Sequence, residues 1–363
     1  LVPEEYTTIQ AAIDAAVDGD MILVGSGTYK ESVNITSKKL NLVGLGVVEI
    51  ETSSLGGKDC IHVEGGGLNI ENITLNGGKN GIYIHGSGDL TVTNCRIKNS
   101  NDSGIHSFTH GNILISNTLF EGNSTGLDLE YTGQPVIWNN TFYGNGNDIT
   151  ARYHWANSKI TQIYNCVITG KVYNAYDSGR LELYYCSIQE ELDIGKNVKR
   201  MEGNIIGDPL LNDPSNGDLS LGVESNLIDA GAPGGVWNDT DGSRNDIGMT
   251  GGRGLALDGA IRDLGKLRAG KKVDDTFQLV NVTSKSESFT VSSDYEIQAE
   301  STIVVPTGSR VSFPFEYTVA SGQARLDVSL KDSSDQTTTI KRSFTAISYT
   351  VGEGIREIGR AHV

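Results

Sequence analysis

Proline is scarce in this chain, at 7 of 363 residues, and there are only four cysteines. No two cysteines form a Cys-x-x-Cys pair, which excludes the usual zinc-ribbon and dithiol spacings and a disulfide-dense scaffold. No segment approaches 18 uninterrupted apolar residues, so no membrane-spanning helix is expected. Cationic charge is also short: 29 Lys/Arg stand against 45 Asp/Glu, for a net charge of −16. The deficit lies wholly in residues 1–252, with 15 basic and 31 acidic residues, whereas residues 253–363 carry 14 of each. A chain without a basic stripe is no partner for nucleic acid, and a strongly anionic polysaccharide would need a local basic patch. The uneven split points to two units of different surface chemistry, and the length allows two cores. What the chain has in plenty is glycine, 45 residues, with recurrent Asn and Asp. These tolerate positive φ and suit many short strands joined by tight turns.

A repeat orders these turns. Ile70-Glu71-Asn72-Ile73-Thr74-Leu75, Val92-Thr93-Asn94-Cys95-Arg96-Ile97, Ile115-Ser116-Asn117-Thr118-Leu119-Phe120, Ile137-Trp138-Asn139-Asn140-Thr141-Phe142 and Ile163-Tyr164-Asn165-Cys166-Val167-Ile168 share the form apolar-x-Asn-x-x-apolar. The asparagines are 22, 23, 22 and 26 residues apart, and Tyr185 takes the place 20 residues on. Between them recur Gly81-Ile82-Tyr83-Ile84, Gly104-Ile105-His106-Ser107, Gly126-Leu127-Asp128-Leu129 and the weaker Asp148-Ile149-Thr150-Ala151. A coil this small cannot bury its own apolar face, so coils must stack and bury one another's. Alternation directs Ile82, Ile105, Leu127 and Ile149 inward. The expected fold is an all-β, right-handed parallel β-helix over residues 1–252, with the asparagines forming a ladder in which each amide bonds to the next.

The beginning of the chain fits an N-terminal capping helix. Ile9, Ala12, Ile13 and Ala16 share one helical face, and Thr7 or Thr8 can serve as N-cap. Such a helix would cover the open edge of the first coil. The segment from Tyr6 to Glu31 resembles the opening of pectin-lyase-like β-helix proteins. Gly207-Asp208-Pro209-Leu210-Leu211, Gly217-Asp218-Leu219-Ser220-Leu221, Leu227-Ile228-Asp229-Ala230-Gly231 and Asp239–Gly248 resemble the C-terminal end of bacterial and archaeal surface proteins of that superfamily. The resemblance implies a secreted or cell-surface protein. It implies no activity. Where polygalacturonases of this fold carry their first catalytic motif, this chain has Asn123-Ser124-Thr125-Gly126, with no carboxylate. Asn147-Asp148 matches the second only in part, Arg96-Ile97-Lys98 precedes His110-Gly111 in the wrong order, and the pectate-lyase arginine motif is absent.

Residues 262–350 read differently. Alternating segments at 276–282, 288–291, 302–305, 311–317, 325–330 and 339–344 predict an immunoglobulin-like β-sandwich, and the region resembles accessory domains of bacterial surface proteins. Residues 351–363 read as a tail; its last residues, Glu357–Val363, match a translated sequencing adapter, and the start at Leu1 suggests a missing leader. Cys95, Cys166 and Cys186 fall in one inward column. Parallel side chains on adjacent coils disfavour the disulfide dihedral, so free buried thiols are expected.

The outward positions of the Gly-Ile-x-Ile strand gather the chemistry. One column reads His62, Tyr83, His106, Asp128, Thr150, Tyr173 and the next Glu64, His85, Phe108, Glu130, Arg152, Ala175. Asp128 and Glu130, two apart on a strand, are separated by roughly 7 Å, which suits the acid and base of an inverting glycoside hydrolase. Arg152 could stabilise developing charge, and His106 or His154 could move a proton. His85, Tyr131, Tyr153 and Trp155 supply sugar-binding surface. Asp239, Asp241 and Asp246 offer the alternating oxygens of a calcium loop, or they cap turns and pair with Arg244. A stripe of Trp138, Tyr164 and Tyr184 on another face either binds glycan or is covered by residues 201–250 or the second domain. Two functions stay open: an extracellular protein that binds or cleaves a polysaccharide or surface glycan, by glycoside hydrolase or polysaccharide lyase chemistry, and a non-catalytic cell-surface adhesion or structural protein.

Overall fold

The computed structural model describes residues 1–130, 135–152, 160–175, 179–189, 197–252, 255–258, 261–281, 285–306, 309–320, 323 and 325–347. The tail from 351 onward lies outside them. The chain divides into two units, Leu1–Ala256 and Leu257–Val363. No helix among the described residues is long and apolar enough to cross a membrane.

The first unit is a parallel β-helix. A seven-stranded parallel sheet runs in the order Lys171–Asn174, Asn147–Arg152, Thr125–Glu130, Ser103–Thr109, Asn80–Gly86, Ile61–Glu64, Val33–Thr36. The other walls form one sixteen-stranded sheet whose two limbs meet at the long strand Lys39–Glu51. Ile61, Ile82, Ile105, Leu127, Ile149 and Val172 stand in register on successive strands. All six are fully buried, each stabilising the stack by about 1.5–3 kcal/mol. Thr8 caps the helix Ile9–Ala15, its hydroxyl accepting from the Ala11 N–H, and Ile9, Ala12 and Ile13 are buried beneath it. Glu31 accepts the next free helix N–H groups, from Ile9 and Gln10.

Beyond the first coils, one residue makes the corner between the two limbs. Asn72, Asn94, Asn117, Asn139, Asn165 and Tyr185 all have φ between 49° and 58°. Asparagine is the side chain that most readily takes this left-handed conformation after glycine, which is why it recurs at one place per coil. The expected amide ladder does not form: among the described residues no hydrogen bond joins one of these asparagines to the next. Three of them instead hold the segment after the last coil with their side chains. Asn117 donates to the carbonyls of Met249 and Gly251, Asn139 to that of Gly251, and Asn165 accepts from the Ala232 N–H. Trp237 in that segment stacks on Tyr164, which stacks on Tyr184, each at 4.8 Å between centroids. The aromatic stripe is therefore covered by the chain itself, with Trp138 wholly buried.

Buried inter-coil ladders do form, one through Ser100, Asn123 and Asn145 and one at the position after each corner residue. The Cys95 N–H donates to Thr118 Oγ1, the Thr118 N–H to Asn140 Oδ1 at 3.0 Å, the Asn140 N–H to Cys166 Sγ, and the Cys186 N–H to Asn204 Oδ1 at 2.9 Å. Asn140 also donates to the carbonyls of Ile115 and Trp138. At these four corners the backbone N–H after the turn is thus satisfied by a side chain of the next coil. All four cysteines are free and buried; the three in this column serve as polar turn partners as well as small apolar fillers. Burial pushes the Cys95 thiol up to about 12, which makes it inert as a nucleophile.

The described residues from 255 onward form two sheets. One runs Leu255–Asp258, Lys272–Asn281, Ser309–Thr318, Ile297–Gln298 and the other Ile261–Arg268, Thr337–Ile347, Arg325–Asp332, Glu287–Ser293, Thr302–Val305. The six expected strands fall within this set. The strands at 255–258, 261–268 and 297–298 were not expected from the pattern, and Ile261–Arg268 pairs in parallel with Thr337–Ile347 where the other recorded pairs are antiparallel. The core of the second unit holds a charge: Arg342 is fully buried, forms a close ion pair with Asp275 and lies 5.7 Å from the centre of the Phe315 ring.

Two stability predictions follow from these contacts. Asn140→Ala leaves the Thr118 N–H without its acceptor and should cost about 1–3 kcal/mol in urea unfolding, whereas Asn94→Gly, which keeps the left-handed corner open, should stay within about 1 kcal/mol of the parent. Arg342→Ala strands the buried Asp275 carboxylate and should cost about 3–5 kcal/mol, read in the unfolding transition of the second unit.

Candidate functional site

The seven-stranded sheet packs its coils closely because glycine opens three of its strands. A Cβ on Gly104 would lie 2.6 Å from the Gly126 carbonyl oxygen and 3.1 Å from the Phe120 ring, and one on Gly126 would meet Asp148 and Phe142 in the same way. With Gly81, these glycines lock the register in which the outward residues align. His62 faces Tyr83, Tyr83 faces His106, His106 faces Asp128 and Asp128 faces Thr150; alongside, Glu64 faces His85, His85 faces Phe108, Phe108 faces Glu130 and Glu130 faces Arg152. Both expected columns are therefore present.

Asp128 is the centre of the column. It is 2% exposed although it lies on the outward side of its strand. Its Oδ2 is 3.0 Å from Arg152 Nη2, while its Oδ1 is buried with no hydrogen-bond partner. Two neighbours share that condition: His106 Nε2 and Thr150 Oγ1 are also buried and unpartnered, and His106 Nε2 is 3.6 Å from Glu130 Oε2, beyond hydrogen-bond reach. Leaving such atoms unsatisfied costs about 1–3 kcal/mol each, and all three lie on this one face. Burial raises the Asp128 pKa above the usual aspartate range; the charges of Arg152 and His106 work against this shift, and the nearby Glu130 carboxylate adds to it. A buried acid beside a more accessible carboxylate is an arrangement that separates proton donor from base.

Of the other expected residues, His85 lies on the same face, stacked on Tyr83 with 5.3 Å between centroids. Tyr131, Tyr153, His154 and Trp155 lie outside the described residues. Asp239, Asp241 and Asp246 do not converge as a calcium loop. Asp239 accepts from the backbone N–H groups of Asp246 and Gly252, Asp241 from Ser243, and Asp246 from Asp229. Arg244 bonds to the carbonyls of Gly231 and Ala230 rather than to these carboxylates. Their work is to fold the covering segment, and burial raises Asp239 to about 6.

One grouping on this face was not recognised in the sequence. The ligand atoms of His62, Glu64 and His85 all lie within 4.8 Å of one another, and among the described residues no other trio of His, Cys, Asp or Glu is so close. The signal was the His-x-Glu pair on one strand with a His one coil on, legible only once the register is known.

The family description "Right handed beta helix region" matches residues 43–207. The cell surface glycoprotein of Methanothermus fervidus is 38% identical over 101 residues, which are 27% of this chain and 17% of that protein's length. This chain therefore corresponds to a small part of that protein. Among solved structures, the pectate lyase Pel9A aligns with 66% of this chain and 90% of its own at 11% identity and a TM-score of 0.38. A PapD-like domain of human CEP192 aligns with 27% of this chain and 87% of its own at 10% identity and a TM-score of 0.22. The parallel stack with its repeated corner, together with the family match, identifies the first unit as a right-handed parallel β-helix.

Proposed function

We propose that the protein works outside the cell or at its surface and that the seven-stranded face of its β-helix binds and hydrolyses an extended glycan. The observation that carries this reading is Asp128: a buried carboxyl of raised pKa with one oxygen unpartnered, beside a second carboxylate two residues along the strand. In the proposed reaction Asp128 donates its proton to the leaving glycosidic oxygen. Glu130, at roughly 7 Å, draws a proton from the attacking water, the separation that leads to inversion. Arg152 steadies the charge left on Asp128, and His106 lies where it can return protons between the two. Tyr131, Tyr153, His154 and Trp155 are assigned from sequence to the same face as sugar-stacking and proton-shuttling groups. The surface location is supported by the surface-protein resemblance at the chain ends and by the glycoprotein relative.

A second reading, a glycan-binding or adhesive rod without chemistry, is favoured by the exposure of an aromatic side chain on this face, Phe108 at 42%. Cleavage of a panel of neutral and acidic polysaccharides separates the two. Asp128→Asn and Glu130→Gln should each lower product formation by about 10²–10⁴-fold while leaving glycan affinity within a few-fold. Because Asp128 must carry its proton to act, the rate should fall on the alkaline side as pH rises through its raised pKa. Glycan binding with no product from the parent protein would establish the second reading instead.

A further inference from the structure

We propose that His62, Glu64 and His85 form a binding site for a divalent transition-metal ion, with zinc the simplest occupant. His62 and Glu64 project from the same side of one strand, and His85 projects from the next, directly opposite Glu64. The two Nε2 atoms are 3.2 Å apart. Two imidazole nitrogens bound to one tetrahedral zinc at about 2.0–2.1 Å are separated by roughly 3.3 Å, so these rings already sit at the spacing of one coordination edge.

The outer atoms are arranged as a metal site needs them. His62 Nδ1 is 3.1 Å from Asp59 Oδ2. That bond places the Nδ1 proton toward the carboxylate and turns the Nε2 lone pair toward His85 and Glu64. Asp59 is itself held by the N–H and the side-chain amide of Asn80, at 3.1 and 2.9 Å on Oδ1. The Tyr83 ring meets His62 edge-on, at 5.1 Å and 76°, and stacks on His85 at 27°. Both imidazole planes are therefore fixed before any ion arrives. Two nitrogens and a carboxylate select zinc, nickel or copper over magnesium or calcium. Three protein ligands leave at least one position for water or an oxygen of another molecule, as in open rather than purely structural sites. Glu64 is exposed and both histidines are half-buried, so an ion can reach them. The buried cysteines lie in the helix interior and offer no competing site.

The same 3.2 Å contact would also suit a plain hydrogen bond from one imidazole to the other, and titration of the untagged chain with zinc distinguishes the two. One equivalent of zinc should bind, and cobalt should give the intense visible absorption of a tetrahedral site. His85→Ala and His62→Ala should abolish stoichiometric binding, Asp59→Asn should weaken it about 10–100-fold, and Asp128→Asn should leave it unchanged. Zinc should raise the unfolding temperature of the parent and not that of His85→Ala. Glu64→Gln alters an exposed side chain and should weaken binding without loss of the native circular dichroism spectrum, so a misfolded histidine variant does not leave the matter open. Absence of one-equivalent binding in the parent, or binding unchanged in Glu64→Gln and the folded histidine variants, would overturn the site. Neither result depends on whether any glycan is cleaved.

Discussion

Each coil of the first unit is held by the next. A single turn of about 22 residues exposes the inner side of every strand, and only parallel pairing with the coils on either side removes Ile82, Ile105, Leu127 and their equivalents from water. This dependence explains the repeat, the helix over the first coil, and the inward ladder through Thr118, Asn140 and Cys166. Stacking also fixes what the outside of the stack can be: residues of the same phase in different coils are brought to strand spacing whatever their chemistry.

That constraint gives the seven-stranded face its character. A flat sheet surface normally leaves polar groups in water, yet Asp128 is almost wholly covered and one of its oxygens lacks a partner. The two columns of this face bring together a carboxylate, a cation and imidazoles, because the repeat supplies the alignment. At the far end of the same face, the Asp59–His62–His85 chain offers a second use of this alignment, with side chains from two coils converging and an outer carboxylate bonded to one of them.

Much of this was legible in the sequence because the period was strong. The six corner residues from Asn72 to Tyr185, the inward columns and the outward columns all follow from one spacing. The error concerning the asparagine ladder has a definite cause. Periodicity locates a residue in the coil but does not say what its side chain bonds to, and Asn117, Asn139 and Asn165 are taken by the segment after the last coil. Among the buried asparagines that do bond across coils, Asn140 shares its column with Ile, Cys and Thr, and Asn123 and Asn145 sit outside the apolar-x-Asn motif, so the motif marks none of them. At Asp239, Asp241 and Asp246 the motif shows carboxylates close in sequence but not the backbone N–H groups that bond to them, the turn-capping alternative. The added strands of the second unit were missed because Ile261–Arg268 interrupts apolar alternation with Arg262, Asp263 and Lys266, and its pairing partner is distant in sequence.

The chemical reading of the face depends on which influence dominates at Asp128: burial, which keeps the carboxyl protonated, or Arg152 at 3.0 Å, which favours the carboxylate. An NMR titration of the Asp128 carboxyl carbon, assigned by its loss in Asp128→Asn, decides between them. A midpoint clearly above the ordinary aspartate range is the result expected of a proton donor held in a buried site. A midpoint at or below that range would mean that Asp128 and Arg152 form an ordinary ion pair and that the face carries no acid of this kind.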